Sequence, residues 1–98
     1  MGAVAVIATL TVVEGQNAAF EAAFSAGVAA VKANEPDTPV YSLAQSNDDP
    51  QCYKVLEIYA NEAAMIAHSS ADHFKEMGRS LRGTLAEPPT IERLRVIA

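Results

Sequence analysis

Residues 53–74 read YKVLEIYANEAAMIAHSSADHF. The first seven residues form an apolar run that favours a β-strand, and only Lys54 and Glu57 interrupt it. A turn-prone asparagine follows, then a short alanine-rich helical segment that contains His68, and soon afterwards His73. A strand that delivers an acid into a core, followed by a helix that delivers imidazoles, can line a reactive pocket. The rest of the chain is interpreted as the scaffold of this stretch.

Length and composition predict a single domain over residues 1–98. Half of the residues are hydrophobic, which favours a face buried in an oligomer. The net charge of −5 argues against nucleic acid as a partner, because backbone binding needs clustered Lys and Arg. A lone Cys52 excludes an internal disulfide and suits a reducing cytoplasm. The apolar N-terminal run has no basic flank and is far shorter than the ~20 residues of a membrane span, so no targeting signal or membrane segment is expected.

Three strands and a helix are predicted in the first part of the chain. Strand one, Ala3 to Val13, is apolar on both faces and should be central in its sheet. Ala18 to Ala33 has large apolar residues at helical spacing, and Gly27 in this helix is tolerable where another backbone packs close. Strand two, about Val40 to Ser46, is joined by the turn sequence NDDP to strand three, Cys52 to Ala60, as a hairpin.

The second half is predicted to be helical until the last strand. A short helix runs from Glu62 to about His68, and Ser69 or Ser70 caps a second helical piece that extends to Leu85. Two prolines then stop the helix. Thr90 to Ala98 is the last strand, and charged residues on both of its faces predict that it is partly exposed or pairs at an edge.

This order of elements predicts an α+β, ferredoxin-like βαββαβ fold with a four-stranded antiparallel sheet and helices on one face. The other face of the sheet is also apolar, so we expect it to be buried against a partner. A second copy packed sheet to sheet, a dimeric α+β barrel, is the simplest answer.

The run from Glu57 to Ala64, with Ala67-His68 and His73-Phe74 after it, resembles the antibiotic biosynthesis monooxygenase (ABM) family. It is most similar to the branch of quinol monooxygenases. The resemblance implies a homodimer whose sheets form a barrel, with a pocket between sheet and helices in each subunit. It also implies oxidation of phenolic or quinol-type substrates by O2 without flavin, haem or metal, so no cofactor is expected.

Two departures from relatives bear on the substrate. Haem-degrading relatives have an asparagine, a tryptophan and a haem-ligating histidine at places that Ala8, His68 and Gly78 occupy here. The chain has no tryptophan, so haem degradation is not expected. Anthrone-oxidising relatives share an asparagine after strand three, here Asn61, but their neighbouring tryptophan is absent too, which leaves the substrate open.

Three residues are candidate catalytic groups. His68 is the candidate base, because a neutral imidazole near pH 7 can take a proton from a quinol or enol. Glu57 lies within an apolar strand, where burial would raise its pKa, and it would orient the His68 ring or tie helix to sheet. His73 is the third candidate, with helix capping as its alternative. Two histidines five residues apart, with no third ligand nearby, are a poor metal signal, so no metal is expected.

Tyr53, Tyr59 and Asn61 are candidate substrate-binding residues. The two tyrosines share the Glu57 face of strand three, where they could stack on an aromatic substrate, hydrogen-bond a carbonyl or simply pack. Asn61 could bind an oxyanion, and its alternative role is to cap the following helix.

The leading functional hypothesis is a cofactor-independent monooxygenase for a small quinol or phenolic substrate. The first alternative is an isomerase or degrading enzyme for a small carbonyl signal, since the same base chemistry works without O2. The second is a dimeric barrel that binds a ligand without catalysis.

Overall fold

The computed structural model describes residues 2–98 and contains four strands and three helices. In chain order these are β1 (Val4–Thr11), α1 (Asn17–Asn34), β2 (Val40–Gln45), β3 (Cys52–Tyr59), α2 (Glu62–Ser70), α3 (Asp72–Ser80) and β4 (Thr90–Arg95). The strands form one antiparallel sheet in the order β2-β3-β1-β4. The predicted α+β, ferredoxin-like architecture is confirmed, with two short helices in the second helical region.

The positions of the strands follow from their hydrophobicity. The two most apolar strands, β1 and β3, are the central pair, and the charged β4 is an edge strand, as the sequence predicts. Beyond the end of β1, Val12 makes an isolated bridge with Leu85. β4 ends at Arg95, three residues earlier than predicted.

The core lies between one face of the sheet and the helices. Alternate residues of β1 point to this face and are buried there, among them Val6 and Leu10, because successive side chains of a strand point to opposite faces. Helix α1 covers this face with Phe20 and Phe24. Gly27 is also buried in α1, and a Cβ atom there would lie 2.2 Å from Sδ of Met77. The neighbour that requires this glycine is therefore a side chain of α3, not the backbone that we expected.

The helical region after β3 departs from the prediction at three points. Ser69 and Ser70 do not cap α3, because both lie inside α2 and their hydroxyl groups donate to the carbonyls of the preceding turn. The helices are separated by the extended backbone of Ala71. Helix α3 ends at Ser80, well before the prolines, because Gly83 has a φ of +81°, which a right-handed helix cannot accommodate.

No helix formed by residues 2–98 packs against the opposite face of the sheet. Leu56 of β3 and Leu94 of β4 are 41% and 39% exposed on this face. Covering of this face by a second copy stays a prediction. Among residues 2–98, no helix combines the length and hydrophobicity that crossing a membrane requires.

Candidate active site

A cavity of about 400 Å³ lies between the sheet and helices α2 and α3. Its volume is within the range of small-molecule sites. Most of its wall is apolar, and its ionisable side chains are few. The residues that line it are Val6, Ala8, Leu10, Phe24, Tyr41, Val55, Glu57, Tyr59, Met65, His68, Ser69, Phe74, Met77, Gly78, Leu81, Leu85, Pro89, Ile91 and Arg93.

His68 lies at the centre of the polar part of this wall. Its side chain is only 4% exposed, and its ring packs against three aromatic rings with centroids 5.0–5.5 Å away, those of Tyr41, Tyr59 and Phe74. Nδ1 of the ring is 2.8 Å from Oε2 of Glu35. Nε2 of the ring makes no hydrogen bond with any of residues 2–98. Because His68 lines the cavity and Nδ1 is bound to Glu35, we infer that the Nε2 edge of the ring faces the cavity.

Glu35 is the residue that the sequence reasoning missed. It follows α1 directly, where Pro36 forbids further helix, and its backbone leaves the helical region (φ −126°, ψ 79°). Its side chain is 10% exposed, and Oε2 accepts hydrogen bonds from both histidines while Thr38 donates to Oε1. Burial alone would raise the pKa of Glu35, but the hydrogen bonds from His73, His68 and Thr38 outweigh it and lower the pKa.

The two histidines converge because the helix breaks between them. On one continuous helix, residues five apart would point about 140° away from each other. Here α2 ends at Ser70 and α3 begins at Asp72, and Nε2 of His73 reaches Oε2 of Glu35 at 2.5 Å. His73 is 22% exposed and does not line the cavity, so only His68 of this pair can touch a molecule inside it.

Since an ionised carboxylate only accepts hydrogen bonds, both rings must donate to it. His68 therefore carries its proton on Nδ1 when neutral, and the lone pair of Nε2 is free on the cavity side. Fixing a tautomer through a carboxylate at the far ring nitrogen is how a histidine base is oriented. This arrangement gives His68 the geometry of a general base.

Glu57 and Tyr59 form a second polar pair in the cavity wall. Tyr59 donates a hydrogen bond to Oε1 of Glu57 at 2.5 Å, so Glu57 is bonded to a tyrosine and not to the His68 ring. Burial raises the pKa of Glu57, and the Tyr59 hydrogen bond and attraction to His68 offset part of the rise. Burial also raises the pKa of Tyr59, further increased by Glu57, which keeps the phenol protonated.

Tyr53 and Asn61 lie outside the cavity wall. The Tyr53 hydroxyl donates a hydrogen bond to the Glu21 carboxylate at 2.5 Å and accepts one from the Asn17 side-chain amide at 2.9 Å. These hydrogen bonds join β3 to α1. The Asn61 side chain accepts a hydrogen bond from the backbone of Ala64 at 2.9 Å and so caps α2. In this structure both residues serve the fold.

The donor atoms of Glu35, His68 and His73 all lie within 4.8 Å of one another. Two imidazoles and a carboxylate are a donor set that transition metals use, so this cluster supplies the third donor that the sequence did not reveal. The contacts are also those of two hydrogen bonds to one oxygen, which the three side chains make without an ion. At Gly78, where haem-degrading relatives place the haem-ligating histidine, no side chain is available as a ligand.

The fold and the cavity define a class, the ferredoxin-like α+β domains with a mostly apolar pocket, here lined by a histidine, between sheet and helices. Residues 3–80 match the model of the family described as antibiotic biosynthesis monooxygenase. The chain belongs to the ABM family. None of the curated proteins matches it.

Solved structures agree with this assignment. A candidate antibiotic biosynthesis monooxygenase from Caulobacter crescentus is 41% identical, with a TM-score of 0.95 and coverage of 99% of this chain and 92% of that one. A protein from Pseudomonas aeruginosa is 26% identical, with a TM-score of 0.88 and coverage of 100% and 97%. A candidate antibiotic biosynthesis monooxygenase from Nitrosomonas europaea is 21% identical, with a TM-score of 0.92 and coverage of 99% and 93%, and shows the fold alone.

Proposed function

We propose that this chain is a monooxygenase that oxidises a small quinol-like or phenolic substrate with O2 and needs no bound cofactor. The observation that carries the proposal is the His68 ring, with Nδ1 held by the Glu35 carboxylate and the opposite edge left for an apolar cavity. The chain belongs to the ABM family and is 41% identical to a candidate monooxygenase, and both findings support this proposal.

The first step is removal of a proton from the substrate hydroxyl by Nε2 of His68. The imidazolium that forms is stabilised by Glu35 in direct contact and by Glu57 through space, since Glu57 and His68 attract each other. An apolar surrounding strengthens both interactions, because the effective dielectric constant is lower there than in water.

The deprotonated substrate then supplies the electrons. It is oxidised by O2, one oxygen atom enters the product, and the other leaves as water after accepting electrons and protons that also come from the substrate. No other reductant is required for this balance. The role of the protein is to generate the electron-rich anion and to hold it with O2 away from bulk solvent.

Glu57 and Tyr59 position the substrate oxygen. Tyr59 donates its hydrogen bond to Oε1 of Glu57, so Oε2 is available to a molecule in the cavity. As the carboxylate that attracts the His68 imidazolium, Glu57 can accept a hydrogen bond from a substrate hydroxyl at Oε2. The Tyr41 and Phe74 rings, which pack on His68, offer flat surfaces for an aromatic substrate.

The protein is proposed to act as a homodimer through the uncovered face of the sheet. This face exposes Leu56 and Leu94, and a stable interface needs such an apolar centre.

The proposal is tested by oxygen uptake and ¹⁸O₂ labelling with purified protein, no added cofactor, and a panel of hydroquinones, anthrones and naphthols. Saturable uptake above autoxidation, with one labelled oxygen atom per product molecule, is the expected result. Conversion of substrate without O2 consumption would contradict it and support an isomerase. Saturable binding without conversion would support a ligand-binding barrel.

A further inference from the structure

Arg93 is the one arginine among the described residues that line the cavity, and no lysine lines it. In the antiparallel register Arg93 of β4 pairs with Val6 of β1, and Val6 pairs on its other side with Glu57 of β3. Residues paired in this way point to the same face of the sheet. Arg93 and Glu57 therefore stand on the same face, on either side of Val6.

The Arg93 guanidinium has no hydrogen bond or ion pair with another side chain of residues 2–98. Arg79, by contrast, is paired with Glu76 on the surface of α3. An arginine offers five donors in a planar fork that matches a carboxylate in a bidentate manner. Within the described chain, the donors of Arg93 are left for water or for a ligand.

The surroundings of Arg93 are apolar on the side of this cavity, whereas on its other side Arg93 borders a second pocket with Asn61, Glu62 and Arg95. Its neighbours in the cavity wall on the same strand and in the preceding loop are Ile91 and Pro89, and Val6 lies beside it in the sheet. Ile91 is 55% exposed and β4 is an edge strand, so this end of the cavity is its open end. Arg93 is itself exposed, so a molecule that enters from solvent can reach it, and the planar two-donor geometry of its guanidinium supplies the preference for a carboxylate.

We propose that Arg93 is an anion-binding subsite at the open end of the cavity, and that the substrate is a hydroxylated aromatic molecule with a carboxylate at the end remote from its hydroxyl group. This inference rests on the proposed function, in which His68 and Glu57 bind the hydroxyl end of the substrate. The Arg93 guanidinium binds the carboxylate end.

The dimensions of the sheet set the length of the molecule. Two neighbouring strand spacings separate the backbones of Glu57 and Arg93, roughly 9–10 Å. A single ring with adjacent substituents is too short to engage both side chains in the plane of the sheet. A fused two-ring aromatic with its hydroxyl and carboxylate at opposite ends fits this span.

The test is equilibrium binding under anaerobic conditions, which requires no turnover. The probes are 6-hydroxy-2-naphthoate and 6-hydroxy-2-naphthamide, which share shape and hydroxyl group and differ in charge. The wild-type protein is expected to bind the carboxylate about tenfold more tightly than the amide, the gain of one charge-assisted pair of hydrogen bonds. Arg93→Gln is expected to remove this preference by weakening carboxylate binding alone, and Arg93→Lys, which keeps charge without the fork, to retain part of it.

Arg82→Gln is the matched control, since Arg82 is exposed and is not part of the cavity wall. It is expected to leave both affinities unchanged. Equal binding of the two probes by the wild type, or a carboxylate preference that survives in Arg93→Gln, would overturn the subsite and leave the proposed oxygenase standing. Failure of both probes to bind would overturn the subsite, and quinol oxidation by the same preparation would show whether the proposed function fails with it.

Discussion

Replacing Glu35 by glutamine removes the negative charge beside His68 and keeps the size of the side chain. The Oε2 atom is 2.8 Å from Nδ1 of His68, so the carboxylate and the centre of the imidazolium formed in catalysis are about 4 Å apart. At that separation and an effective dielectric constant of about 20, the attraction is about 4 kcal/mol. Solvent screening at this partly exposed cluster sets a lower limit of about half this figure, about 2 kcal/mol. Glu35→Gln should therefore lower kcat by about 30- to 900-fold, since each 1.36 kcal/mol is tenfold.

The assay is oxygen uptake with the best quinol of the panel, with KM and kcat determined separately. KM should change little, because Glu35 does not line the cavity. Thr38→Val is the matched control: it removes the hydrogen bond to Oε1 and keeps the charge, and it should cost less than about threefold. A folded Glu35→Gln protein with kcat within threefold of the wild type would refute the role assigned to Glu35.

Three further predictions concern stability and assembly. Gly27→Ala should have a lower free energy of unfolding in urea than Gly78→Ala, by about 1 kcal/mol. Both changes favour the helix, but only the Cβ at position 27 overlaps a side chain, the flexible end of Met77, which must shift. Equal free energies of unfolding for the two variants would contradict this packing. Glu57→Gln should be more stable than the wild type at pH 8, because the variant avoids the cost of burying a charge. The difference should shrink as pH falls through the raised pKa of Glu57, and a gain in stability that grows on acidification would contradict the assignment. Light scattering of the wild type should give a mass of twice 10.3 kDa. The double variant Leu56→Asp, Leu94→Asp should have half that mass, whereas Ile66→Asp on α2, the control, should stay dimeric. A monomeric wild type would contradict the paired-sheet dimer.

Periodicity was sufficient to predict the fold. The apolar character of β1 and β3 predicted their central positions, and the charges of β4 predicted an edge, because burial on two faces leaves a pattern that a single sequence displays. Helix ends were harder. Ser69 and Ser70 look like caps, yet each hydroxyl group bonds within α2, an option that serine always has and that local sequence does not decide.

The candidate site was predicted in part. His68 and Glu57 line one cavity, in line with the expectation that a strand delivering an acid and a helix delivering an imidazole can form a pocket. Their catalytic roles stay predictions. The partner of His68 was missed, because Glu35 is 33 residues away and its contact depends on how the chain turns at Pro36. The signal was an acid directly before a proline at a helix end, which indicates a change of direction but not its target.

The most direct test of the central claim is a comparison of wild-type protein and His68→Gln in the oxygen-uptake assay, with no added cofactor and each rate corrected for autoxidation. The buried His68 ring contacts three aromatic residues, so circular dichroism and binding of the substrate under anaerobic conditions must first show that the variant keeps its fold and its cavity. The account predicts saturable uptake by the wild type and a loss of at least about 100-fold in kcat for His68→Gln. Undiminished uptake by the folded variant would show that His68 is not the base.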